Sequence, residues 1–244
     1  MDVAQTISNR RPSEDSRQYA YRTIREAILL FVLEPGLRLS EPELAAKLSV
    51  SRTPVHDALE RLERENLTVS GDTPGFTVTR LQTAKIRSHL WLAELFTTEV
   101  IHAFFTERVA PQKIEILQFM IKEMEHASNI GNIHGELRII NNFFTQMYTF
   151  GGSFDYIWSV LQKSIYDIAR LLYLTLQETG PKKDFLTAMN AMVEALIRRN
   201  DDDACAAEHR CFQLLREEIP VLQEKYPGYF DEKGEDWESP ARRA

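Results

Sequence analysis

The chain has 244 residues, 43% hydrophobic and 27% charged, with a net charge of −7. That length suits one or two domains at about 150 residues each, the composition is that of a soluble globular protein, and ten glycines and ten prolines are too few for a large all-β fold. Residues 1–81 carry 11 Lys and Arg against 12 Asp and Glu, so nearly all of the acidic excess lies beyond Leu81. A near-neutral module of this kind binds nucleic acid only if its arginines gather on one face.

Residues 1–15 are polar, have no apolar stretch of the signal-peptide type, and read as a flexible N-terminal segment. The longest apolar run, "AILLFVL" at 27–33, is too short to cross a bilayer. Helical spacing starts with Tyr21, Ile24 and Ile28, and "EPG" at 34–36 ends it. Ser40 with Glu43 three residues on predicts a capping box, Pro42 is compatible with a first turn, and Leu44 and Leu48 share a face. After a short turn at "SVS", the stretch "RTPVHDALERL" predicts a second helix with Ser51 as N-cap. Its buried face is Val55, Leu59 and Leu62, with Ala58 beside them. "LTVS" and "FTVTRL" alternate around "GDTPG", the pattern of a β-hairpin. Three helices and a hairpin within 16–81 make a winged helix-turn-helix domain.

Beyond Leu81 the alternating pattern disappears. Amphipathic helices are expected at roughly 83–108, 111–128, 133–150, 154–177, 182–199 and 201–225, punctuated by "GGS", "TGP" and "RNDDD". The fold class is therefore mostly α: a winged helix-turn-helix domain followed by an all-α bundle of about six helices over 82–226. Residues 227–244 read as a polar C-terminal tail. Cys205 and Cys211 lie on one expected helix, six apart, which suits neither a disulfide nor a zinc motif and fits a reducing cytoplasm. His89, His102, His126 and His134 form no motif.

A helix-turn-helix aims the first turns of its second helix into the major groove. Hydroxyl side chains there meet phosphates and an arginine reads guanine edges. Ser51, Arg52, Thr53 and His56 supply these groups, and the hairpin would bring Gly75 and Thr77 to the minor groove or backbone. Taken singly, Ser51 is as well explained as a cap and Arg52 as a solvated charge; their spacing together favours DNA. "ERLERE" at 60–65 reads as a solvated face, although Arg61 and Arg64 could touch phosphate.

The stretch "LEPGLRLSEPELAAKLSVSRTPVHDALERLERENL" closely resembles the N-terminal domain of the GntR family of bacterial transcription regulators. The "SRTPV" form followed by an all-helical domain resembles the FadR-like branch with an FCD-type effector domain. In that branch the positions of Arg52, Thr53 and His56 contact operator DNA. Arginine is usual where His56 stands, and a neutral imidazole offers one hydrogen bond in place of a bidentate fork.

The same resemblance implies a divalent metal held by an aspartate and three histidines. Here Asn141, Thr145, Met189 and Cys211 fall at or near those positions, a poor donor set, so no metal or other cofactor is expected in that pocket. Glu94 stands where the family usually has an arginine for a ligand carboxylate. What remains is rich in aromatic residues, Tyr148 among them, which at helical spacing are more often core than ligand box, and Arg170, which offers one anion contact or is more simply solvated or ion-paired. An effector there would be more apolar than a simple organic acid, and loss of the effector site altogether is an equal reading.

The resulting expectation is a cytoplasmic, sequence-specific DNA-binding transcription regulator, a repressor, acting as a homodimer on a palindromic double-stranded operator and not associated with membrane. The alternative is a helical ligand-binding or interaction module whose winged helix meets protein. An enzyme is disfavoured, since no nucleophile–base set, phosphate-binding loop or dinucleotide fingerprint is present.

Overall fold

The computed structural model describes residues 10–71, 75–107, 109–152, 154–164 and 166–231. The described residues fall into two compact units. One comprises residues 10–82 together with 226–231, the other residues 83–225.

In the first unit, helix α1 (Ser16–Leu29) opens on a complete capping box. The Asp15 carboxylate accepts the Gln18 amide at 2.8 Å, and the Gln18 side chain accepts the Asp15 amide at 3.2 Å. Strand β1 (Arg38–Leu39), helices α2 (Glu41–Leu48) and α3 (Arg52–Arg64), and strands β2 (Thr68–Ser70) and β3 (Phe76–Val78) follow. The strands form one antiparallel sheet in the order β1-β3-β2, with Leu39 opposite Phe76 and Val69 opposite Thr77. The hairpin expected from alternation is thus present with a third strand added. Two residues are too few to show a period in sequence, so β1 is visible only through its partner.

Ile24 and Ile28 from α1, Leu44 and Leu48 from α2, and Val55, Leu59 and Leu62 from α3 close the core beneath this sheet. Each such side chain contributes about 1.5–3 kcal/mol by leaving water. Polar ties fix α1 on α3: Arg17 pairs with Asp57 at 2.7 Å, and the Tyr21 hydroxyl donates to Glu65.

Two expectations about the chain ends change. Residues 10–15 are tied down: Glu14 pairs with the buried Arg22 at 2.6 Å, which holds its carboxyl at about 2, far below the usual range. The start of the expected tail also belongs to this unit. After the 3-10 turn Pro227–Tyr229, Leu81 donates its amide to the Tyr229 carbonyl and its own carbonyl accepts the Asp231 amide. Phe230 is buried, and the Tyr229 ring lies 5.2 Å from that of Phe31. Aromatic burial and main-chain pairing outweigh the polar composition of the segment. The rest of the tail, and residues 1–9, lie outside the described residues.

The second unit is all α: α4 (Thr83–Thr106), α5 (Pro111–Asn129), α6 (Ile133–Phe150), α7 (Asp155–Ser164), α8 (Tyr166–Thr175), α9 (Thr179–Arg198) and α10 (Asp201–Lys225). The segments α7 and α8 both lie within the single helix expected over 154–177, on either side of residue 165, which is outside the described residues. Val100, Ile101, Leu117, Phe143, Met147, Met192, Val193 and Ile219 are fully buried and join α4, α5, α6, α9 and α10 in one core. Among the described residues no helix is long and apolar enough to cross a membrane.

Candidate nucleic-acid interface

The turn between α2 and α3 sets the site. Ser49 closes α2 in the left-handed conformation (φ 54°), and the chain re-enters a helix three residues later. Pro54 and Val55 are buried, which leaves Ser51, Arg52 and Thr53 on the outside of the first turn of α3. Ser51 has the extended backbone of an N-cap, but its hydroxyl makes no capping hydrogen bond. Ser51 is thus the N-cap of α3 as expected, but without a side-chain capping bond, which leaves its hydroxyl available to a phosphate. At α2, Ser40 accepts the Glu43 amide at 3.4 Å, which is one of the two hydrogen bonds of the expected capping box.

His56, one turn on, is 48% exposed and lies between two carboxylates. Its Nδ1 is 3.0 Å from Glu41 at the start of α2, and its Nε2 is 3.4 Å from Glu60. The ring meets Phe76 edge-on, centroids 5.9 Å apart. The Glu41 hydrogen bond raises the His56 pKa above its ordinary value against a smaller opposing effect of burial, with the Glu41 and Glu60 charges adding to the rise.

The wing contributes from the other side. Gly75 has φ +123°, which L side chains rarely adopt, and a Cβ there would sit 3.7 Å from the Arg38 guanidinium. Thr77, half-buried on β3, lies opposite Arg38 of β1 and Val69 of β2. A cleft of about 470 Å³ is lined by Arg38, Ser40, Glu41, Arg52 and Gly75, among others. Two guanidiniums from different elements thus border the same concavity beside the exposed start of α3. Arg38 was missed in the sequence, where β1 had no signal; the only hint is an arginine directly before the buried Leu39. Arg61, also exposed, packs back against the domain. Its guanidinium lies 3.6 Å above the Tyr21 ring and its Nε 3.3 Å from Glu65, locking α1 to α3. Arg64 is exposed.

The residues singled out in the helical unit sit in separate settings. Asn141 is exposed. The Thr145 hydroxyl donates to the Asn141 carbonyl at 2.9 Å and accepts the Trp158 indole N–H at 2.8 Å. Met189 and Cys211 are buried, and burial pushes the Cys211 thiol far above its ordinary pKa. An amide, a committed hydroxyl, a thioether and a neutral buried thiol do not fit the divalent metal that an FCD-type domain implies. Arg170 is wholly buried and pairs with Asp167 at 2.5 Å.

Tyr148 meets Thr97 at 3.1 Å between α6 and α4. Close by, Thr98 donates to Glu208 of α10 at 3.2 Å. Glu94 takes His209 at 2.6 Å and also Arg216. Arg216 is thereby neutralised by Glu94. Glu208 escaped the sequence reading because a lone glutamate on a helix carries no pattern. It is 2% exposed, and burial with the Glu94 charge raises its pKa to about 8.

The comparisons with known proteins bear on both units. The model of the bacterial regulatory proteins of the gntR family matches residues 17–78, the span of α1 to β3. The N-terminal domain is a GntR-family helix-turn-helix domain. The chain is also similar over most of its length to regulators of this type. It is 22% identical over 225 residues to the HTH-type transcriptional repressor RspR of Escherichia coli (strain K12), covering 91% of this chain and 96% of that one. The HTH-type regulator McbR of the same strain is 21% identical over 208 residues, 83% and 90% of the two chains. The structure of E. coli McbR/YncC superposes with a TM-score of 0.70 at 17% identity, covering 87% of this chain and 99% of that one. A transcriptional regulator GntR from Rhodococcus sp. RHA1 superposes with a TM-score of 0.61 at 20% identity, covering 88% and 99%. The GntR-type winged domain and the helical domain behind it are therefore a shared fold. Within it, His56 is held between two carboxylates on the α3 surface of this GntR domain.

Proposed function

We propose that this protein is a sequence-specific transcription repressor of the GntR type that binds a palindromic operator as a homodimer. The observation that carries the reading is the exposed Ser51-Arg52-Thr53 turn of α3, flanked by Arg38 and by Gly75 of the wing. Hydroxyls and an arginine at a helix start are the groups that hold phosphates and read base edges. One such domain covers a half-site, and two-fold pairing doubles the contacts and matches a palindrome. The helical domain takes an apolar effector or none, since Glu94, Thr145 and Arg170 already have protein partners. Because their donor chemistry is poor, no resident metal is assigned to the set Asn141, Thr145, Met189 and Cys211.

Selection of bound DNA from a random pool tests the reading. An enriched inverted repeat that Arg52→Ala no longer enriches supports it, with sedimentation giving two chains per operator. Failure to enrich any sequence at low salt would transfer the exposed turn of α3 to a protein partner.

A further inference from the structure

We propose that His102, Asp201 and Cys205 form a site for one zinc-class transition-metal ion on the helical unit. His102 lies near the end of α4, and Asp201 and Cys205 lie in the first turns of α10. Positions i and i+4 share one face of a helix, so Asp201 and Cys205 point together and His102 meets them from the opposing helix. The Nδ1 of His102 is 2.9 Å from the Asp201 carboxylate, and the Cys205 Sγ is 3.6 Å from the same group. One ligand atom from each residue lies within 4.8 Å of the others. A tetrahedral ion with bonds of 2.0–2.3 Å keeps its ligand atoms about 3.4 Å apart, so modest side-chain rotations complete the set.

The plainer explanation is an imidazole–carboxylate pair with a thiol attached. Donor chemistry favours the metal: thiolate, imidazole and carboxylate are the three ligand types that zinc takes, and the sulfur and nitrogen select against calcium and magnesium. His102 and Asp201 are 46% and 42% exposed, which leaves an open position for water and a path for entry. Asp202 and Asp203, exposed beside the site, add negative charge that offsets the positive start of α10. On binding, the thiol gives its proton to solvent and the sulfur takes the metal, so no redox partner is needed. This site shares no residue with Asn141, Thr145, Met189 and Cys211. His102 belongs to no local motif, since 99 residues separate it from Asp201.

Cobalt(II) titration of the full chain, reduced with a phosphine rather than a thiol, tests the proposal. One equivalent should bind with a thiolate-to-cobalt charge-transfer band, and zinc should displace it. Cys205→Ser should abolish the band. His102→Ala should weaken binding by more than the roughly 10–100-fold that loss of an outer-shell partner costs. Cys211→Ser should retain both band and affinity. Circular dichroism of each variant verifies folding. Absence of the band at millimolar cobalt, its persistence in folded Cys205→Ser, or its loss in folded Cys211→Ser overturns the proposal.

Discussion

Arg52 and His56 occupy the same exposed surface of one helix and differ in what holds them. Arg52 borders the cleft next to Arg38, and a bidentate contact from such a residue to guanine contributes about 1–3 kcal/mol. Arg52→Ala should therefore weaken operator binding roughly 10–100-fold while leaving the fold intact; fluorescence anisotropy with labelled operator measures this. His56 is held by Glu41 and Glu60, and folding raises its pKa, chiefly through Glu41. The folded state thus binds the proton more tightly than the unfolded chain. The associated stability is complete below the ordinary value of 6.5 and is lost as pH rises through the raised folded value. The His56 midpoint followed by NMR should lie above 6.5, and Glu41→Gln should bring it back down. A wild-type midpoint at or below 6.5 would contradict the clamp. His56→Arg should change the preferred operator sequence, because a fixed fork replaces a titrating ring; an unchanged selected motif and affinity would remove His56 from the interface.

At the scale of elements, α3 is held by a full apolar stripe and by side chains that would otherwise be free to meet DNA. Arg61 is used on Tyr21, so the "ERLERE" face contributes to α1–α3 docking more than to phosphate. Within the bundle, α10 brings Glu208 against Thr98 of α4 and leaves its Oε1 without a hydrogen bond. Burial raises this carboxyl from 4.5 to about 8, so it is protonated at neutral pH. Its contribution is complete below 4.5 and is lost as pH rises through about 8, where a charge is forced into the interior. Glu208→Gln should flatten the pH dependence of the helical unit over that window. Above it, the variant should be more stable than the wild type by about 1–3 kcal/mol, the cost of an unsatisfied buried polar group. Urea unfolding monitored by tryptophan fluorescence at several pH values checks the sign.

For the whole molecule, charge distribution and chain path matter most. A net charge of −7 excludes a uniformly basic surface, so DNA affinity must come from a few local groups such as Arg38 and Arg52. The logarithm of operator affinity should fall linearly with the logarithm of salt concentration, with a slope near −0.9 per neutralised phosphate. A salt-independent association would instead mark a protein partner. The chain also returns to its own first domain: residues 226–231 pair with Leu81 and bury Phe230. Ending the chain after Lys225 should remove that cover, lower the unfolding temperature of the winged domain and weaken operator binding. Equal thermal stability of the truncated and full chains would show that the segment adds nothing to it.

The helix spans, the winged helix-turn-helix and the exposed turn at Ser51-Arg52-Thr53 were legible in the sequence alone. They rest on periodicity, capping and turn residues, which act over a few positions, and on a local motif whose spacing is itself the signal. The third strand and the docking of residues 226–231 were not legible, since each depends on partners distant in the chain. The same holds for chemistry. Side-chain identities showed that Asn141, Thr145, Met189 and Cys211 make a poor metal set. Only packing decided that His56 is gripped by carboxylates, that Arg38 joins Arg52, that Glu208 is buried, and that His102 meets Asp201 and Cys205. Those outcomes follow from long-range burial and charge pairing, which no local spacing encodes.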